Sequence, residues 1–307
     1  MSNLNNTDKE LLQNITDTSE FNGAYNIRKN GEGVKRNITN NVNIVTKQDV
    51  SGIDIYVKEN TKFEYVHIPV IITESGINDI VYNDFHIGKN ANVYIVAGCG
   101  IHNDHHRDSQ HDGIHRFFLE EGAKVKYIEK HYGEGNGTGK RILNPVTEVY
   151  LKKGSILEME TCQIKGVDST VRTTRGVLEE DTNLVVSEKI MTHGIQTAKT
   201  IFEVELNGEN SSTHVISRSV ATEHSKQEFK SKVTGNNKCF GHVECDAIIK
   251  DIAKVVAIPE IIANNIDANL IHEAAIGKIA GEQLIKLMSL GLTEKEAEEE
   301  IIKGFLK

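Results

Sequence analysis

Asn90-Ala91-Asn92-Val93 begins a four-residue pattern that returns along most of the chain. The pattern is a turn-forming residue, a small residue, any residue, and an apolar residue that opens a strand. Consecutive copies start 32, 32, 27, 29, 27 and 30 positions apart, and the further copies begin at Gly122, Gly154, Asp181, Asn210, Asn237 and Asp267. Strands and turns at such a period, without an interleaved helical pattern, predict a parallel β-solenoid whose stacked units share one core. An antiparallel β-sandwich with similar turn spacing is the alternative that the pattern leaves open.

Helical patterns occur at the two ends of the chain. Residues 1–22 are polar with a weak apolar stripe, and they predict a helical arm that is loosely held. Residues 23–275 carry the strands of the core, and residues 276–307 predict two amphipathic helices. Gly291 is the expected stop of the first helix, and Thr293 with Glu296 forms a capping box for the second. These helices can cap a solenoid or dock a partner, and the residues alone favour the cap.

Composition argues against several classes of protein. The chain has 307 residues, a formal net charge of −9 and no basic stripe, which argues against nucleic acid as a partner. The N-terminal sequence MSNLNNTDKELL lacks a signal-peptide pattern, and no apolar run approaches the roughly 20 residues that span a bilayer. We therefore expect a cytoplasmic protein, not associated with a membrane, whose four cysteines are reduced. Each cysteine is then a metal ligand, a reactive thiol or a small core residue.

Cys99 begins a run rich in histidine. The run is Cys-x-x-His-x-x-His-His, and its members and near neighbours are Cys99, His102, His105, His106, His111 and His115. Closely spaced cysteine and histidine side chains are what a zinc or similar metal site requires, because the ligands must converge on one ion. One hypothesis is therefore a metal-dependent β-helix enzyme built on this cluster. The alternative is a polar surface loop with solvated histidines.

Cys245 and the pair His272-Glu273 bracket an apolar, strand-like segment. Thiolate, imidazole and carboxylate groups bind soft and borderline metals and move protons. A joint role requires that the fold bring Cys245 back beside His272. Otherwise Cys245 is a small buried residue and His272-Glu273 an exposed dipeptide at a strand end.

The glycine-rich segment 133–140 ends in Lys140 but lacks the spacing of a phosphate-binding P-loop, and no helical pattern follows it. We interpret it as a flexible loop between coils. The sequence therefore predicts that this chain binds no nucleotide.

The chain resembles the SufB/SufD family of iron–sulfur cluster assembly proteins, and above all its short SufB-like members from archaea and anaerobic bacteria. The resemblance extends from about Gly23 onward, and it is carried by Ala97-Gly98-Cys99, Cys245-Asp246 and His272-Glu273-Ala274-Ala275. It implies a mainly β protein with a right-handed parallel β-helix core flanked by helical ends. This implied fold agrees with the repeat.

The resemblance also implies a function, a site and partners. The chain is then a non-enzymatic scaffold that assembles a transient [4Fe–4S] cluster at a dimer interface and passes it to acceptor apoproteins. Cys245, His272 and Glu273 are the implied metal ligands, and Cys99 is the implied sulfur acceptor. A SufC-like ABC ATPase is implied to dock on residues 276–307, and a short chain with both cysteines suggests a homodimer.

Overall fold

The computed structural model describes residues 4–307, which form two ten-stranded sheets wound into a solenoid of about eight turns. Sheet A comprises β1 (Ala24–Lys29), β2 (Glu32–Asn37), β5 (Lys62–Ile72), β7 (Asn92–His102), β9 (Lys124–Glu134), β12 (Ile156–Lys165), β14 (Asn183–Thr192), β16 (Ser212–Ala221), β18 (Cys239–Ile249) and β20 (Ala268–Gly277). Sheet B comprises β3 (Val42–Thr46), β4 (Gly52–Val57), β6 (Asn78–Ile87), β8 (Ser109–Leu119), β10 (Arg141–Leu143), β11 (Val146–Leu151), β13 (Ser169–Leu178), β15 (Thr197–Leu206), β17 (Lys226–Gly235) and β19 (Lys254–Ala263). From β4 onward the chain alternates between the sheets, except that the successive strands β10 and β11 both lie between β8 and β13 in sheet B. Neighbouring strands of these coils are parallel. The predicted parallel β-helix is confirmed, and parallel pairing excludes the antiparallel sandwich.

The repeated pattern marks where the chain enters sheet A. Its first residue adopts a left-handed backbone conformation in five copies, with φ values between 53° and 71° at Asn90, Gly122, Gly154, Asp181 and Asn210. Glycine, asparagine and aspartate tolerate this conformation best, which explains the choice of turn residue. The small second residue is buried in each of these five copies. The pattern therefore marks one tight turn in each coil of the solenoid.

The predicted copy at Asn237 is one residue out of register. Phe240 pairs with Ser212 and Asn269 pairs with Phe240, which places Lys238 at the first position of the repeat. In the other coils the first residue of a copy donates its backbone N–H to the carbonyl of the residue before the next copy, but Asn210 donates to the carbonyl of Lys238, at 2.8 Å, so this turn is irregular. Asn237 is a more typical turn residue than lysine, so the sequence pattern places this copy one residue too early.

The N-terminal helix is docked firmly, so the predicted loosely held arm is wrong. Helix α1 (Asn6–Thr16) buries Leu11, Leu12 and Ile15 completely. It lies on the outer face of sheet A, over glycines of β7, because an added Cβ at Gly98 would lie 2.8 Å from the Cβ of Ile15. An arm that appears polar in sequence can still dock when a short apolar stripe meets a surface without side chains.

The two ends of the solenoid differ. At the N-terminal end both sheets finish in antiparallel hairpins, β1–β2 and β3–β4. At the C-terminal end β19 and β20 are the last strands of their sheets, and each has one edge without a partner among the described residues. Several of their apolar side chains are exposed, namely Val256, Ile258, Ile261, Ile271 and Ile276.

Two helices follow β20, as predicted. Helix α2 (Gly281–Ser289) begins five residues later than the apolar stripe suggested, because β20 continues to Gly277. Gly291 has a φ of 101°, and the predicted capping box at Thr293 and Glu296 opens α3 (Glu294–Phe305). Helix α3 and Leu306 after it pack against Val220 of β16 and Ile248 of β18, near the C-terminal ends of these strands. Ala297 of α3 is buried, whereas α2 buries no residue. None of the helices within residues 4–307 combines the length and apolarity needed to cross a membrane.

The glycine-rich segment is an ordered stack, and its prediction as a flexible loop is wrong. The backbone N–H of Gly137 donates to the carbonyl of Asn103, at 3.1 Å, and that of Gly139 donates to the carbonyl of His105, at 2.9 Å. A Cβ at Gly137 would lie 2.2 Å from the oxygen of His105. Glycine is needed here because two loops of successive coils approach backbone to backbone.

Candidate functional site

Cys245 lies at the C-terminal end of the solenoid core, one strand from the edge. It points inward from β18 and is 2% exposed. Its neighbour on the last strand is Ala274, which is exposed. The thiol is therefore separated from the uncapped end by one strand that carries a small side chain there.

His272 shares the inner face with Cys245. It pairs with Val243, which lies two residues before Cys245 and is itself buried in the core. One strand spacing sideways and two residues along the strand separate the two Cα atoms by about 8 Å. The imidazole Nε2 has no hydrogen-bond partner within residues 4–307. The fold thus brings Cys245 and His272 to one face, as the sequence argument required.

Glu273 lies on the opposite face of β20, because successive residues of a strand alternate sides. Its side chain is 66% exposed, and its carboxylate lies 3.6 Å from Nε2 of His242. The structure therefore does not gather Cys245, His272 and Glu273 on one surface of a single chain. Any joint action of the three residues has to involve the free edge of β20.

Burial sets the protonation of this site. Burial, together with the nearby carboxylates of Glu188 and Asp246, raises the pKa of the Cys245 thiol to about 12. Burial also lowers the pKa of His272, helped by His242. Cys245 is therefore a neutral thiol and His272 a neutral imidazole at pH 7. A thiol with this pKa becomes a thiolate when a metal ion binds it, since coordination deprotonates the sulfur.

Cys99 lies far from this end, inside the solenoid. It points inward from β7, is 2% exposed and pairs with His131 on β9. Its apolar neighbours include Val70 and Ile101. Burial raises the pKa of the Cys99 thiol well above its usual range, and the carboxylates of Asp79 and Glu129 add to the shift.

The histidines that follow Cys99 do not form a shared site with it. His102 lies between two carboxylates, with Nδ1 3.0 Å from Glu134 and Nε2 2.8 Å from Asp104. His111 instead points inward and bonds Asp79 at 3.1 Å. The structure therefore does not favour the hypothesis of a metal-dependent enzyme built on this cluster.

Among residues 4–307, Asp54, Asp84 and His86 are a group whose ligand atoms lie within 4.8 Å of one another. Its carboxylates are already paired with cations. Arg116 donates two hydrogen bonds to Asp84 at 2.7 Å, and Lys47 bonds Asp84 at 2.8 Å. This arrangement explains the group as an ion-pair network.

A buried polar network, which the sequence argument missed, runs through the middle of the solenoid. His115 bonds the hydroxyl of Tyr127 at 2.7 Å, and that hydroxyl donates to Glu129 at 3.0 Å. Glu129 also pairs with Arg172, whose Nε lies 3.5 Å from the carboxylate of Glu188. Burial would raise the pKa of Glu129, but His131 and Arg172 hold it well below its usual range.

The network continues toward Cys245 along one row of sheet A. In-register pairing aligns Ala97, Glu129, Thr161, Glu188, Ser217, Cys245 and Ala274 on the inner face. Ser217 donates to Glu188 at 2.9 Å and lies beside Cys245. Ala97, Glu129, Thr161, Glu188 and Ala274 each follow the apolar fourth position of a repeat copy by four residues. This offset is the sequence signal that could have found the row. Thr161 Oγ1 in this row lacks a hydrogen-bond partner within residues 4–307, and so do both amide atoms of Gln163, two residues further along β12.

Comparisons with known proteins identify the family. Residues 86–305 match the family model described as SUF system FeS cluster assembly, SufBD core domain. An iron–sulfur cluster assembly SufBD family protein of Methanocaldococcus jannaschii is 30% identical over 256 residues, which cover 82% of this chain and 79% of that protein. A SufBD family protein of Pyrococcus horikoshii is 28% identical over 83% of this chain but only 57% of its own length. The iron–sulfur cluster assembly protein SufB of Bacillus subtilis is 35% identical over 104 residues, which are 32% of this chain and 22% of SufB. The chain described here belongs to the SufBD family of iron–sulfur cluster assembly proteins.

Proposed function

We propose that this chain is a scaffold on which a [4Fe–4S] cluster is assembled between two copies and then passed to acceptor apoproteins. The cluster is cargo, and the chain itself catalyses no ATP hydrolysis. Cys245 is the principal ligand, and His272 is a second ligand on the same face. One observation carries the proposal. A thiol and an imidazole whose Nε2 has no hydrogen-bond partner among the described residues share the inner face of β18 and β20, the last two strands of sheet A, at the uncapped end of the solenoid.

The proposed dimer uses the free edges of the last coil. Unpaired strand edges invite pairing with another chain, and natural proteins usually blunt them. Here the edge strands β19 and β20 carry exposed Ile261 and Ile276. Two carboxylates, those of Glu260 and Glu273, are exposed on the same strands. A second copy placed on this end would cover these side chains. It would also bring two sets of Cys245 and His272 toward one interface.

Glu273 enters the proposal through its place on the edge strand. Its carboxylate is exposed on the outer face of β20, where a paired second chain would lie beside it. Thiolates hold iron in iron–sulfur proteins, and replacing some of them by imidazole or carboxylate weakens the set of soft ligands. A site with mixed ligands suits a cluster that has to leave.

Sulfur delivery is assigned to Cys99. In the proposed step a persulfide donor passes its terminal sulfur to Cys99: the S–S bond of the donor breaks, an S–S bond forms on Cys99, and the thiol proton of Cys99 passes to the donor, which leaves as a thiol. Five strand spacings in sheet A, about 24 Å, separate Cys99 from Cys245. The polar inner row from Glu129 to Ser217 covers three of these five spacings, from β9 to β16, and it supports the passage of sulfur between the two cysteines.

The C-terminal helices are the proposed docking element for a SufC-like ABC ATPase. Helix α2 buries none of its residues, and Ile285 and Met288 are 68% and 42% exposed. Leu290, directly after the helix, is 73% exposed. Such a surface fits a partner that accepts an apolar helix face.

The test is anaerobic reconstitution with iron and sulfide of the wild type, Cys245→Ser and Cys239→Ser. Cys239 is a matched control, because it also points inward from β18 and is only 6% exposed. We expect the wild type and Cys239→Ser to bind iron and acid-labile sulfide in equal amounts, with broad visible absorption. We expect Cys245→Ser to lose most of both.

The oligomeric state is measured on the same samples by sedimentation. Cluster-containing protein should sediment as a dimer if the site lies between two copies. Full cluster content in Cys245→Ser would remove the proposed ligand, and a cluster-loaded monomer would remove the shared site.

A further inference from the structure

The N-terminal end of the solenoid contains a cavity that cluster assembly does not use. It has a volume of about 370 Å³ and lies between the hairpins β1–β2 and β3–β4, over the inner faces of β5 and β6. Pockets that take small-molecule ligands have volumes of about 300–1,000 Å³. The lining residues fall between positions 26 and 83, ahead of the segment 86–305 that matches the family model. The cavity is therefore a feature of this chain outside the shared core domain.

Every ionisable side chain that lines the cavity is basic. Arg28, Arg36 and Lys47 line it, together with the amides of Asn26 and Asn83. The two amides are less than one tenth exposed. Within residues 4–307, neither aspartate nor glutamate contributes to the lining. This is unexpected in a chain with a formal net charge of −9.

Among the three basic side chains of the lining, Arg36 is the one without a carboxylate partner within residues 4–307. Arg28 donates to Asp79 at 2.6 and 2.9 Å, and Lys47 bonds Asp54 and Asp84.

Within the described residues, Arg36 has no carboxylate partner. Its Nε donates to the Asn26 carbonyl oxygen at 2.9 Å, and its Nη1 donates to the backbone carbonyl of Ile44 at 3.3 Å. The Arg36 side chain is exposed at the cavity, and its partial burial lowers its pKa. An arginine nevertheless stays charged in proteins, so a bound anion would supply the missing compensation.

We propose that this cavity binds a small anion, of the size of phosphate or thiosulfate, with the Arg36 guanidinium as its principal partner. Asn83 supplies an amide at the floor of the cavity, where its Nδ2 lies 3.3 Å from His115. Ile68 and Val70 form part of the lining, and they also border a smaller cavity next to Glu129 and His131. Val70 packs with Cys99, so a bound anion would lie one layer of side chains from that thiol. The idea that the anion carries sulfur rests on the proposed function, whereas the anion site itself does not.

Isothermal titration calorimetry at low ionic strength tests the site, with inorganic phosphate and thiosulfate as separate probes. Wild type should show saturable binding of at least one probe at one site per chain. Arg36→Gln should weaken that binding about tenfold or more, the effect of losing a charge-assisted hydrogen bond. Lys35→Gln is the matched control, because it removes the same charge from the adjacent residue of β2, whose Nζ lies 5.4 Å from the ring of Tyr25. Binding to Lys35→Gln should equal binding to wild type.

A second variant separates lost binding from lost folding. Asn26→Asp keeps the partner of Arg36 but neutralises its charge, and it should weaken the anion as Arg36→Gln does. The absence of saturable binding of either probe to wild type would overturn the proposal. So would equal affinity of the wild type and Arg36→Gln.

The two probes also distinguish the source of the anion. Tighter binding of thiosulfate supports a sulfur anion, and tighter binding of phosphate supports a phosphorylated ligand. Cys245→Ser tests cluster assembly at the opposite end, so the two proposals can fail independently.

Discussion

Arg172 should contribute more to stability than any exposed arginine of the same strand. It is 4% exposed inside the solenoid, where its guanidinium contacts Glu129, His131 and Glu188. In Arg172→Met the hydrophobic chain is largely kept, but two carboxylates lose their only buried arginine partner among the described residues. Breaking a buried ion pair from one side costs about 3–5 kcal/mol, since the remaining charge is left uncompensated. For 307 residues unfolding as one unit, that loss corresponds to a midpoint lower by about 5–8 °C.

The control for this prediction is Arg175→Met. Arg175 lies three residues further along β13 on the outer face, where its side chain is 52% exposed and pairs with Glu203. An exposed ion pair contributes about 0–1 kcal/mol, so this variant should be nearly as stable as the wild type. Urea unfolding followed by circular dichroism and by tyrosine fluorescence measures both variants, and coincident transitions justify a free-energy comparison. If Arg172→Met lies within about 1 kcal/mol of Arg175→Met, the argument from buried charge is refuted.

The stability difference between the wild type and Arg172→Met should depend on pH, in a direction set by the pKa of Glu129. In the wild type, burial would raise the pKa of Glu129, but His131 and Arg172 hold it well below its usual range. Its contribution to stability is therefore present at neutral pH and is lost as the pH falls through the folded-state pKa. Without Arg172, Glu129 and Glu188 take up protons at higher pH and become neutral while still buried. The stability gap between the wild type and Arg172→Met should thus narrow from pH about 8 to about 5, and a gap that widens would contradict the assignment.

Two further predictions concern the glycine stack and the C-terminal helices. Gly137→Ala should destabilise the protein by about 1–3 kcal/mol, because the new Cβ would lie 2.2 Å from the carbonyl oxygen of His105. Gly277→Ala is the control: no atom lies within 4 Å of the new Cβ, so its free energy of unfolding in urea should equal that of the wild type. Ile285→Glu should abolish co-purification of an ABC-type ATPase without a change in the unfolding midpoint, since Ile285 is 68% exposed; Ile195→Glu, at an 83% exposed position away from the helices, should retain the ATPase.

The fold could be predicted from the sequence because each coil carries the same local constraint. Asn90 and Gly122 occupy left-handed turns, and the small residues after them are buried. Such a turn tolerates few residue types, so it leaves a visible trace in the sequence. Left-handed turns also precede β15, β17 and β19 of sheet B, at Gly194, Glu223 and Asp251. These turn residues vary more in type, which is why the pattern revealed one strand per period where the structure has two.

The site could be predicted only in part, because alternation of faces depends on exact register. Cys245 and His272 were expected together and do share a face. Glu273 follows His272 directly, and adjacent strand residues cannot both face inward. The inward orientation of Glu129 and Glu188 follows from the same alternation of faces, but only if the fourth residue of each copy is assigned correctly. The shift by one residue at Asn237 shows how one irregular turn disrupts that count.

The asymmetry of the two ends connects the proposals physically. A parallel solenoid needs both of its open ends covered, since each end exposes a cross-section of the core and the edges of the last strands. Here the N-terminal end is closed by antiparallel hairpins, and the closure leaves a cavity lined by Arg28, Arg36 and Lys47. Within residues 4–307 the C-terminal end has no such hairpin, and it exposes apolar side chains of β19 and β20, the strands beyond Cys245. A small charged ligand suits the closed end, and a second protein surface suits the open one.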